Sequence, residues 1–141
     1  GSRVGYAGTW GPQSKHQVVL ALRLFSWKEP GCSTPEVTTL IMGVTPAPFI
    51  VGRSFALKDR DGTIYSSGTV SNDGQIKIEF LPKLPLPIDG VDYRYFTLEL
   101  DTTGASHGDE LAVSTSFIEY QINGQSYQLY QPRYTPPPMK Y

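Results

Sequence analysis

The sequence predicts an all-β fold, a two-layer antiparallel β-sandwich of about seven to eight strands followed by a proline-rich C-terminal tail. Three observations predict it. Apolar and polar residues alternate with period two in several short runs, 12 prolines and 14 glycines punctuate the 141 residues, and Asp-Gly and Asn-Gly pairs separate adjacent runs. The chain is the length of one ordinary domain, and with 39% hydrophobic and 18% charged residues it carries enough apolar material for a core.

Each element follows in order. Val18, Leu20, Leu22 and Leu24 alternate within Gln17–Phe25, while Val19, Ala21 and Phe25 are also apolar, which suits a strand covered on both sides or a short helix. The absence of a capping box favours the strand. Val37–Met42 supplies the second run. Ser54–Lys58 and Thr63–Ser66 flank Asp61-Gly62, whose preference for positive φ suits a tight hairpin. In Gln75–Phe80, Ile76, Ile78 and Phe80 share one face and Gln75, Lys77 and Glu79 the other. Tyr93–Leu100 repeats this pattern with Phe96, Leu98 and Leu100, and Leu111–Ile122 with Ile118, Tyr120 and Ile122. Asn123-Gly124 then turns the chain into Ser126–Tyr130, the strongest type I′ hairpin signal present.

Prolines interrupt Leu81–Pro87 at every second or third position, so an extended linker across the sandwich is expected there. Residues 3–131 form the sandwich domain on this reading, and residues 132–141 the proline-rich tail, solvated or docked on a neighbouring surface. Gly1-Ser2 reads as the scar of a cleaved tag, and the missing initiator Met suggests a domain cut from a longer parent.

Composition narrows the function classes. Lys plus Arg number 12 and Asp plus Glu 13, with neither sign in a block, which argues against a nucleic-acid partner. No apolar run reaches the roughly 18 residues of a membrane span, and the opening residues lack the pattern of a signal peptide. Cys32 stands alone, so no intramolecular disulfide forms. It matches no nucleophile signature, and His107-Gly108-Asp109 lacks the further ligands of a zinc site. Asp59-Arg60-Asp61-Gly62 starts like a calcium loop, but its glycine comes at the fourth position and no acidic residue closes it. The hydroxyls of Ser66-Ser67 and Ser114-Thr115-Ser116 have no elbow motif or adjacent base, and no phosphate-cradling glycine loop occurs. A non-catalytic domain without metal or cofactor is expected.

Aromatic residues supply the candidate site. Tyr93 and Tyr95 lie on the face opposite Phe96 and Leu98 and so project outward two residues apart. Tyr130, with Tyr134 and Tyr141, extends a second aromatic strip towards the tail. Tyr93, Tyr95, Tyr130 and Tyr134 are the expected partner-binding residues. The alternative is that these rings cover a neighbouring sheet or edge strand.

The run from Gly52 to Ile76 has the form aromatic-x-Leu-x-Asp-x-Asp-Gly (Phe55 to Gly62), then Gly68-Thr69, then Asp73-Gly74 before a strand. It resembles transthyretin-like or carboxypeptidase-regulatory-like β-sandwich domains, particularly those attached to the spike and accessory proteins of bacterial type VI secretion. An immunoglobulin-like sandwich is the other arrangement in view. The resemblance implies a non-catalytic module, secreted or translocated as part of a larger assembly, that holds an effector or spike component through a sheet edge and exposed tyrosines. Two alternatives stand beside it. In one, a carbohydrate- or receptor-binding module, including the phage type, stacks tyrosines and Trp10 or Trp27 on sugar rings. In the other, a structural component of a particle oligomerises through its tail.

Overall fold

The computed structural model describes residues 2–5, 8–9, 16–24, 34–45, 50–86, 93–104, 110–130 and 139–140. Eleven strands run through them: β1 Ser2–Gly5, β2 Gly8–Thr9, β3 Gln17–Leu24, β4 Glu36–Thr45, β5 Ser54–Lys58, β6 Ile64–Thr69, β7 Gln75–Pro85, β8 Arg94–Leu100, β9 Glu110–Ile122, β10 Gln125–Leu129 and β11 Met139–Lys140. The eight of five residues or more coincide with the eight runs read from the sequence, and Gln17–Leu24 is a strand and not a helix. Among the described residues no helix is long and apolar enough to cross a membrane.

The strands form two sheets. Sheet 1 has the order β1-β3-β8-β5-β6, and sheet 2 the order β2-β11-β9-β4-β7, with β10 paired on β9. All pairings are antiparallel except the two-residue contact of β11 with β2. The core lies between the layers. Leu20, Leu22, Phe55, Leu57, Phe96, Leu98 and Leu100 face it from sheet 1, and Leu40, Met42, Ile76, Ile78, Phe80, Leu111 and Val113 from sheet 2. Phe96 carries contact across the layers, its ring edge-on to Tyr65 at 5.2 Å and tilted against Phe80 at 6.0 Å.

Bulges reconcile the alternation with continuous strands. Ile41 opposes Phe117 and Met42 opposes Thr115, so Ser116 is the extra residue. Its insertion lets both Leu111/Val113 and Ile118/Tyr120 point inward, although the two sets are out of phase in the sequence. A similar shift beside Leu20 buries Val19 as well.

The expected linker at Leu81–Pro87 is corrected by the structure, because Leu81–Pro85 continues β7. Prolines are tolerated here since, among the described residues, β7 is an edge strand hydrogen-bonded to β4 alone. The ladder is interrupted where they fall: Leu84 pairs with Val37 and Glu79 with Thr39, leaving residues 80–83 opposite Thr38. Leu81 projects to solvent there, and Leu84 and Leu86 return to the core. At the other end of the chain, Met139 and Lys140 pair with Leu111 and Glu110, so the tail's last strand joins sheet 2.

The turns follow their residue types. Asn123 and Gly124 both have positive φ, 52° and 80°, as a type I′ turn requires. The turn at Ser71–Gly74 carries the chain from sheet 1 to sheet 2, and the Val44 N–H donates to the Gly74 carbonyl at 2.8 Å.

Candidate functional site

The outer face of sheet 1 is set by β8. Because Phe96, Leu98 and Leu100 are fully buried, alternation directs Tyr95, Thr97 and Glu99 outward. In the ladder Tyr95 opposes Arg23 of β3, and Thr97 lies between Ala21 of β3 and Lys58 of β5. Tyr93, 39% exposed, precedes the strand on the same side.

The β5–β6 hairpin delivers a second cation. Asp59 Oδ1 accepts hydrogen bonds from the N–H groups of Asp61 (2.9 Å) and Thr63 (3.0 Å), while the Gly62 N–H donates to the Asp59 carbonyl at 3.2 Å. This is an Asx turn, in which one carboxylate oxygen of Asp59 accepts from two backbone donors of the hairpin. The turn holds Arg60 over the tyrosines. Its guanidinium carbon lies 4.9 Å from the Tyr95 ring centroid and 5.7 Å from that of Tyr93, and Nη2 donates to the Tyr93 hydroxyl at 3.0 Å. Arg23 approaches the Tyr93 ring at 5.3 Å. Farther along β8 the face changes character, since Glu99 pairs with Lys58 Nζ at 2.9 Å and with His16 Nδ1 at 3.3 Å.

Three of the four predicted tyrosines lie among the described residues, and they fall on two different faces. Tyr93 and Tyr95 share the cluster with Arg23 and Arg60. Tyr130, 71% exposed, packs edge-on against Phe117 at 5.3 Å, on the outer face of sheet 2, because Phe117 alternates with inward Ile118. Tyr134 lies outside the described residues, as do Tyr141, Trp10 and Trp27. Tyr127 stacks on Tyr120 at 5.5 Å with an interplanar angle of 19°, a cross-strand pair on the inner side of sheet 2. The two arginines escaped the sequence reading. Arg23 had a usable signal, its outward position in the alternation of Gln17–Leu24. Arg60 had none, because the reach of a turn residue across a neighbouring strand depends on strand order.

The two edges on the β6–β7 side contrast. β7 carries Lys77, Glu79, Pro82, Lys83 and Pro85, devices that discourage further pairing. β6 has the sequence IYSSGT, with neither charge nor proline, and among the described residues pairs only with β5. The Val70 N–H donates to the Arg53 carbonyl and the Gly52 N–H to that of Val70, each at 2.9 Å. Alternation from Val70 then turns the backbone groups of Gly68 towards β5 and those of Ser67 and Thr69 away from it. An open cleft of ≈ 380 Å³ runs beside this edge, lined by Ser67, Gly68 and Thr69 of β6, Gln75 and Lys77 of β7, and Phe55. A Cβ at Gly68 would lie 3.1 Å from the Phe55 ring, so the absent side chain lets that ring pack against β6.

Among the described residues no three His, Cys, Asp or Glu side chains gather as metal ligands would. Cys32, His107 and Asp109 lie outside them. The Ser116 hydroxyl donates to the Ile41 carbonyl at 3.1 Å. The outer face of sheet 1 presents ring faces, a phenol and guanidinium donors together. No family model, curated protein or solved structure matches the chain.

Proposed function

We propose that the chain is a non-catalytic protein-binding module that docks a partner protein on the outer face of sheet 1, through Tyr93 and Tyr95, and along the adjoining β6 edge. The observation that carries this reading is the Tyr93–Tyr95–Arg60–Arg23 cluster, since tyrosine and arginine are the side chains that most often dominate protein interfaces. β6 lies two strands from β8, about 10 Å across the sheet, so one partner spanning both fits an ordinary interface of roughly 1,200–2,000 Å². The backbone groups of Ser67 and Thr69 that point away from β5 would pair with an extended segment, and the rings would fill shallow pockets of the partner. A carbohydrate-stacking role is less favoured, because guanidinium groups already lie against these two rings.

The motif between Gly52 and Ile76 supports a narrower proposal. The module belongs with the transthyretin-like sandwiches of type VI secretion spikes and carries a secreted effector or spike component, being translocated with that assembly. The test uses the chain as bait in a lysate of its source. Tyr93→Ala combined with Tyr95→Ala should release the captured partner while the circular dichroism spectrum and melting temperature stay close to wild type. Equal recovery of that partner by the double variant would remove this face from consideration.

A further inference from the structure

We infer that the outer face of sheet 1 selects a partner segment bearing Asp or Glu carboxylates, which Arg23 and Arg60 grip as a preorganised pair; this rests on the protein-docking reading of that face. The chain is close to neutral overall, with 12 basic and 13 acidic residues, yet here two exposed guanidinium groups are drawn to one tyrosine ring, at 5.3 and 5.7 Å. The ion pairs among the described residues are His16–Glu99, Arg53–Asp101, Lys58–Glu99 and Lys77–Glu79, and neither Arg23 nor Arg60 takes part. Arg53 and Arg94 are spent internally. Arg53 meets Asp101 and donates to Thr103, and Arg94 donates to Tyr65 and to the Pro85 carbonyl.

Two like charges sharing a ring repel, and the ring quadrupole offsets only part of that cost. An anion placed between them would relieve it. Arginine keeps five N–H donors, of which Arg60 uses one on the Tyr93 hydroxyl. A guanidinium held against a ring presents its remaining donors at the rim, in the planar fork that accepts a carboxylate through two parallel bonds. The Tyr93 hydroxyl and the Asx turn at Asp59 hold Arg60 in place before binding, which lowers the ordering cost on association.

The experiment follows the arginine Nε–Hε signals of the ¹⁵N-labelled full chain while a short peptide alternating Glu and Ser is added. Parallel titrations use the Gln-Ser counterpart and inorganic phosphate at equal charge. The Glu peptide is expected to move the Arg23 and Arg60 signals and the Gln peptide to leave them. Arg23→Gln with Arg60→Gln should raise the dissociation constant at least about tenfold. Tyr93→Phe, which keeps the ring and removes the hydrogen bond to Arg60, should raise it by about twofold to fivefold. Equal shifts with the Gln peptide, equal shifts with phosphate, or an unchanged dissociation constant in the arginine variant would each overturn the inference. If a captured partner is lost with Tyr93→Ala/Tyr95→Ala but kept at full level by the arginine variant, the carboxylate inference fails and the docking face stands. Full recovery by both variants defeats both.

Discussion

Replacing Asp59 by Ala tests how the hairpin couples stability to the tyrosine face. Asp59 Oδ1 accepts from two backbone donors, at 2.9 and 3.0 Å, in an exposed turn. In water each such bond contributes about 0.5–1 kcal/mol net, because the freed N–H groups are rehydrated. The expected loss is therefore about 1–2 kcal/mol, the range seen when a comparable side-chain cap on backbone donors is removed. For a chain of this length that lowers the melting temperature by roughly 3–6 °C. Asp59→Asn keeps an acceptor oxygen in the same place and should cost less than about 0.5 kcal/mol. Urea and thermal unfolding of the three proteins measure the stability terms. The Arg60 Nε–Hε signal of the folded variants reports whether the guanidinium still lies in the ring current of Tyr95, and in Asp59→Ala it should move towards its free-chain position. An Asn variant as damaged as the Ala variant would show that charge, not turn geometry, matters. An Ala variant with unchanged stability and an unmoved Arg60 would refute the link between turn and site.

Phe96→Ala should be among the most destabilising single changes, at about 3–5 kcal/mol, because it removes a fully buried ring that touches Tyr65 and Phe80; a urea midpoint near wild type would place the core elsewhere. Thr115 is 7% exposed and its hydroxyl has no hydrogen-bond partner among the described residues, so Thr115→Val should stabilise the fold by about 1 kcal/mol, read as a higher urea midpoint, whereas a lower midpoint would reveal a bond to that hydroxyl. Gly74 has a φ of 78°, and a Cβ there would lie 2.9 Å from the Val44 carbonyl oxygen. Gly74→Ala should cost about 1–3 kcal/mol in the same assay, and a neutral outcome would mean that the turn between the sheets adjusts freely.

The alternating runs and turn dipeptides of this sequence determine the local structure. Ile76, Ile78 and Phe80 can share a face only in an extended chain, and Asn123-Gly124 accepts the positive φ angles that few other pairs tolerate. The outward placement of Tyr95 follows from the same period-two rule, since its neighbour Phe96 must be inside. Other features depend on which strands become neighbours. Leu81–Pro85 reads as a linker because prolines remove ladder donors, yet it completes β7, because among the described residues only the β4 side of that strand is paired. The extra residue at Ser116 is visible only against the partner register, which brings two out-of-phase apolar sets to one core.

The candidate site divides in the same way. Local alternation determines that Tyr95 and Arg23 point away from the core, because each side chain's direction is set by its own backbone. The strand order β3-β8-β5 alone decides that Arg23, Tyr93, Tyr95 and Arg60 meet, since they come from segments as far apart in sequence as Arg23 and Tyr95, whose pairing depends on burial between the two layers. Tyr130 is just as legible as an aromatic residue in the sequence, but its hairpin on β9 sends it to the opposite sheet. Backbone geometry acts over a few residues and can be read from them, whereas contact between distant residues is a property of how the sheets pack.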